Sequence, residues 1–83
     1  MKLKAFAIFD DKAKTFNHPF FSPNEAIAVR VFSDASRDTD TIIGKHPSDF
    51  RLYRIGEFDQ TSGKITSEEV PEFCCNAVDT LEE

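Results

Sequence analysis

The side chains best suited to chemistry cluster between Asp49 and Lys64, in the run DFRLYRIGEFDQTSGK, where Arg51, Tyr53 and Arg54 stand among apolar neighbours. A guanidinium grips phosphate oxygens through a planar fork of donors, and a phenol ring offers a flat face on which a nucleobase stacks. Near the N-terminus Lys2, Lys4, Lys12 and Lys14 add further positive charge. These seven residues are the candidate nucleic-acid-binding set. Catalysis finds no comparable set. His18 and His46 each precede a proline, apart from any carboxylate pair, glycine-rich phosphate loop or nucleophile–base spacing. No enzyme activity is expected. The two cysteines, Cys74 and Cys75, are adjacent. Neighbouring cysteines close a strained ring only with difficulty, and with two histidines they match no zinc spacing. Neither a metal nor another cofactor is expected, and the thiols read as small apolar side chains in a reducing cytoplasm.

Something must position these groups, and 83 residues allow one small domain. A core that small gains from dimerisation. Nine Phe residues beside one Tyr and no Trp exceed what such a core buries, so one or two rings are expected at an interface or a stacking platform. The net charge of −5 argues against nucleic acid, but its distribution does not. Residues 1–56 hold nine Lys/Arg against seven acids, whereas residues 57–83 hold only Lys64 against eight. A mildly basic body with an acidic C-terminal segment suits a protein that touches nucleic acid, and it also suits one that merely stays soluble. No signal peptide or membrane-spanning run is read in the sequence.

Alternation makes Lys2–Asp10 a strand, with both faces largely apolar as in a central strand. A polar turn over residues 10–14 leads to an extended return, Thr15 to Phe21, which Pro19 confines to an edge or loop. Ser22-Pro23-Asn24-Glu25 has the pattern of a capping box, predicting a helix from Pro23 to about Ser36 with Ser22 as N-cap. Its apolar stripe is Ala28, Val31, Phe32 and Ala35, widened by Ile27. A polar connection follows, anchored by Ile42 and Ile43. The long strand Asp49–Asp59 places Phe50, Leu52, Arg54, Gly56 and Phe58 on one face and Arg51, Tyr53, Ile55 and Glu57 on the other. Asp59–Gly63 reads as a hairpin loop with Gly63 at positive φ, and Lys64 begins the returning strand. Residues 68–83 fit either a helical stripe or a strand, with a frayed end. The expected architecture is α+β, a small antiparallel sheet of 3–5 strands with one helix packed on one face. The domain is expected to span residues 1–66, with residues 67–83 an acidic segment, partly ordered or a tail. One helix leaves the other sheet face wet, dimerised or ligand-bound. If neighbouring strands bring them together, Lys2, Lys4, Arg51 and Tyr53 form a basic, partly aromatic surface there, extended by Lys12 and Lys14.

Three pieces, MKLKAFAIFDDKA, PFFSPNEAIAVRVFSDA and HPSDFRLYRIGEFDQTSGKI, resemble the small non-structural DNA-binding protein of gokushovirus-type microviruses, which are single-stranded DNA bacteriophages. The resemblance covers about residues 1–66. It implies a non-catalytic protein that binds DNA, single-stranded by preference, during viral DNA replication in the cytoplasm of the bacterial host. The implied role is in the switch toward single-stranded genome production. It hands over no residue-level site. Expected partners are DNA, a second copy in a homodimer, and a replication protein recruited by the acidic C-terminus. Glu68, Glu69, Glu72, Asp79, Glu82 and Glu83 are also placed to fold back on the basic face and compete with DNA. The rival reading is a protein-interaction adaptor that docks through exposed Phe residues without touching DNA.

Overall fold

Two hairpins paired side by side in one sheet organise the chain, and the computed structural model describes residues 1–81 of it. The central strand is β1 (Lys2–Asp10), as its two apolar faces predict. At its end the Asp10 carboxylate accepts hydrogen bonds from the Lys12 and Ala13 amides at 3.0 and 3.2 Å, and Lys14 takes a positive φ of 60°. The chain then returns along β1 in two short antiparallel pieces, β2 (Thr15–Phe16) and β3 (Phe20–Ser22). They are separated where Pro19, having no N–H, cannot contribute to a ladder. Along its other edge β1 pairs with β4 (Phe50–Asp59), which pairs in turn with β5 (Ile65–Asn76). The β4–β5 loop closes as the sequence predicts. Asp59 accepts from the Thr61 and Ser62 amides at 2.9 and 3.4 Å, and Gly63 sits at φ 78°.

The helix α1 (Glu25–Arg37) starts two residues later than its capping pattern suggests. Asn24 is the N-cap, its side chain accepting from the Ile27 amide at 2.9 Å. Ser22 is unavailable because it is paired with Lys4 in the sheet, where it is buried and donates its hydroxyl to the Asn24 carbonyl at 2.9 Å. The buried stripe is also rotated. Ala28 and Phe32 are buried as expected, but Val31 is 49% exposed, and Ser33 and Ser36 are buried instead. The cause lies at the far end of the chain, where the 3₁₀ turn Val78–Leu81 packs against this flank and Arg37 donates to the Thr80 carbonyl at 2.7 Å. Within the polar connection, α2 (Ile42–Lys45) is capped by Thr41, whose hydroxyl accepts from the Gly44 amide at 3.0 Å. Of the two expected anchors, Ile43 packs on the core and Ile42 is 61% exposed.

The core lies between α1 and one sheet face: Phe6, Ala28, Phe32, Phe50, Leu52 and Ala77. Three irregularities decide what the opposite face presents, one of them the extra residue Cys74 of β5, which sets Phe73 opposite Tyr53. Ala5 pairs with Gly56 and Phe6 with Arg54, leaving Ile55 as an extra residue in β4. Such a bulge shifts the alternation. Gly56 and Phe58 therefore lie on the Tyr53 side, not with Phe50 and Leu52 as uninterrupted alternation predicts. Gly56 is required there, since a Cβ would run into the Thr66 carbonyl of β5. In β5, Glu68–Pro71 face the single residue Ile55 between the pairs Gly56↔Ser67 and Arg54↔Glu72, a register irregularity within a continuous strand. Residues 67–76 thus continue the sheet. Glu82 and Glu83, and with them the expected fraying, lie outside the described residues.

Candidate nucleic-acid interface

Alternation along β1 turns Phe6 and Ile8 toward α1 and Ala7 and Phe9 away from it, so the register places Tyr53, opposite Ala7, and Arg51, opposite Phe9, on the uncovered face. Four rings gather there. Phe9 meets Phe16 at a centroid distance of 4.9 Å, Phe16 meets Tyr53 at 5.5 Å, and Tyr53 meets Phe73 at 5.8 Å, all tilted or edge-on. Each ring comes from a different strand, β1, β2, β4 or β5, so the row crosses the sheet. Phe16 and Phe73 are 44% and 51% exposed. The Arg51 guanidinium lies over the Phe9 ring, 5.7 Å from its centroid, a cation–π arrangement that also fixes the charge beside the rings.

Charges converge at the same end. Asp11 Oδ1 accepts from Arg51 Nη2 at 2.7 Å and from Lys14 Nζ at 3.3 Å. Lys14, with the Arg51 charge behind it, holds the Asp11 carboxyl below the ordinary carboxylate range. Lys12 stands on the same turn, exposed. Of the seven residues read from the sequence, Arg51, Tyr53, Lys12 and Lys14 therefore share one end of the molecule.

The other three do not join them. Lys2 and Lys4 alternate with Phe6 onto the side that carries α1, with Lys4 opposite Glu57. The basic surface of Lys2, Lys4, Arg51 and Tyr53 is thus split between two faces, although β1 and β4 are neighbours. Phe6 is fully buried in the core. Arg54 also lies away from the rings, with Nη2 3.1 Å from Glu68 and 3.2 Å from Glu72. Phe9, Phe16 and Phe73 were not singled out by the sequence. The signal for them is the excess of Phe, but choosing the rings needs the register of four strands.

A second apolar cluster occupies the hairpin end of the uncovered face, where Phe21 and Phe58 approach to 5.6 Å. The cysteines sit elsewhere, half-buried where β5 meets the core, with burial and then Glu25 pushing the Cys74 thiol up to about 12. Among the described residues no cluster of His, Cys, Asp or Glu is placed to hold a metal ion, and no helix is long and apolar enough to cross a membrane.

The family model described as Phage ORF5 protein matches residues 3–80, nearly the whole chain. No curated protein and no solved structure matches.

Proposed function

We propose that this chain, which belongs to the Phage ORF5 protein family and so is a bacteriophage protein, is a non-catalytic single-stranded DNA-binding protein that uses its uncovered sheet face. The observation that carries the reading is the row Phe16–Phe9–Tyr53–Phe73 on that face, with Arg51 seated over one of its rings. Bases of a single strand are free to stack on rings, at roughly 1–3 kcal/mol per base, whereas a duplex hides its base faces. Arg51, Lys12 and Lys14 supply phosphate contacts at one end of the row. The context proposed is genome replication in the cytoplasm of the bacterial host, in the switch toward single-stranded genomes, as the resemblance to microvirus DNA-binding proteins implies. A homodimer belongs to the same reading, because two platforms on one strand raise apparent affinity without new contacts.

Tyr53 makes the test direct. It is the only Tyr of a chain with no Trp, so intrinsic fluorescence reports on the platform itself. Titrating the protein with oligothymidylate is expected to quench that emission, and the midpoint to move to higher DNA concentration as salt rises. Unchanged emission at low salt, with the protein folded, would remove the reading. The net charge of −5 and the exposed Phe21 and Phe73 favour a second reading, an adaptor that docks on a host or phage protein. Apolar docking keeps its strength as salt rises, and phosphate binding does not.

A further inference from the structure

We infer that Arg51 and Lys14 form a built phosphate site that Asp11 fills in the free protein, so that an incoming phosphate takes the place of the Asp11 carboxylate. The inference rests on the DNA-binding reading only for the source of the phosphate; the anion site stands on its own geometry. One oxygen, Asp11 Oδ1, accepts from both cations, at 2.7 Å from Arg51 and 3.3 Å from Lys14. The cations come from different elements, the start of β4 and the β1–β2 turn. The Arg51 guanidinium lies over the Phe9 ring, and the Lys14 backbone is set in the turn by its left-handed φ and by its amide, which donates to the Asp10 carbonyl at 2.8 Å.

The two neighbouring acids divide the work. Asp10 shapes the turn, its carboxylate accepting from the Lys12 and Ala13 amides. The Asp11 carboxylate instead accepts from the two cations, while its amide donates to the Asp49 carbonyl at 2.8 Å. All three charged side chains reach solvent, at 36% exposure for Arg51, 41% for Asp11 and 72% for Lys14, so the carboxylate can be displaced without unfolding anything. A phosphate offers separate anionic oxygens to the guanidinium and the ammonium, where Asp11 shares one oxygen, Oδ1, between them.

Exchange of one anion for another releases fewer salt ions than binding to two bare cations. The variant Asp11→Asn, nearly the same shape, therefore changes two quantities together. Its affinity for oligothymidylate is expected to rise between about two- and thirty-fold at low salt, the range that two partly exposed ion pairs allow. Its dependence of log affinity on log salt is expected to steepen by roughly 0.7 for each cation released. The experiment compares wild type, Asp11→Asn and Tyr53→Ala, each confirmed folded by circular dichroism, for binding of oligothymidylate and of inorganic pyrophosphate. A gain by Asp11→Asn for both probes supports the inference. A gain for pyrophosphate with no oligothymidylate binding by wild type or either variant supports the anion site and removes the DNA reading. Oligothymidylate binding that is lost in Tyr53→Ala but unchanged in Asp11→Asn overturns the inference and leaves the DNA reading standing. No gain for either probe overturns the inference.

Discussion

Tyr53 meets Phe16 and Phe73 edge-on from the middle of the ring row, so truncating it interrupts the platform at its centre. Tyr53→Ala is expected to weaken single-strand binding by about 1–3 kcal/mol, read as a shift in the competition midpoint of a labelled oligonucleotide. Arg54→Ala is expected to leave that midpoint in place, because its guanidinium is turned away from the rings toward Glu68 and Glu72. An equal loss in both variants would mean that the binding surface lies elsewhere. A third residue reports on the core rather than the site. Burial raises Cys74 from 9.0 to about 12, so the folded state favours its protonated form. The stability this confers is fully present below pH 9 and is lost as pH rises from there toward 12. The urea midpoint of wild type is expected to fall across that window more steeply than that of Cys74→Ala. Parallel curves would mean that the thiol is not the group responsible.

At the level of elements, the helix depends on Asn24 and on Phe32. Asn24→Ala removes the acceptor for the Ile27 amide and is expected to cost about 1 kcal/mol in denaturant unfolding. Phe32→Ala empties a fully buried site between helix and sheet and is expected to cost about 3–5 kcal/mol. An unchanged midpoint in either variant would contradict the packing described. Most elements were legible in the sequence because their signals are local. Alternation marked β1 and β4, Pro19 marked the edge, and Gly63 marked the hairpin loop. What could not be read depends on pairing across the chain. Ser22 and Asn24 are both capable caps, and only the pairing of Ser22 with Lys4 decides between them. Ile55 looks like any strand residue, yet as the extra residue of a bulge it moves Gly56 and Phe58 to the other face. Lys2 and Lys4 join Arg51 and Tyr53 in the sequence reading on the condition that their strands are neighbours; the strands are neighbours, but the register sets the two pairs on opposite faces. The ring row was illegible for the same reason, since its members are brought together from four strands.

For the molecule as a whole, the division into a basic body and an acidic C-terminal portion takes a specific form. Glu68 and Glu72 are tied to Arg54 at the β5 bulge, and the uncovered face keeps its aromatic and cationic groups at the opposite side of Tyr53's strand. Cutting the chain at Asp79 would remove the turn whose Thr80 is buried and receives the Arg37 guanidinium. That truncation is expected to lower the thermal midpoint, so its effect on DNA affinity does not isolate the acidic charge. The double variant Glu68→Gln, Glu72→Gln tests competition by the C-terminal acids more cleanly. The central claim is that the uncovered sheet face holds single-stranded DNA by stacking, with phosphate contacts at one end. Its most direct test is fluorescence anisotropy of a labelled single-stranded oligonucleotide with wild type and Tyr53→Ala, at about 20 mM and 200 mM salt, with unlabelled duplex as competitor. Binding by wild type is expected to weaken steeply with salt, resist duplex and be reduced in Tyr53→Ala. Flat anisotropy at low salt with folded protein, or equal binding by wild type and Tyr53→Ala, would contradict it.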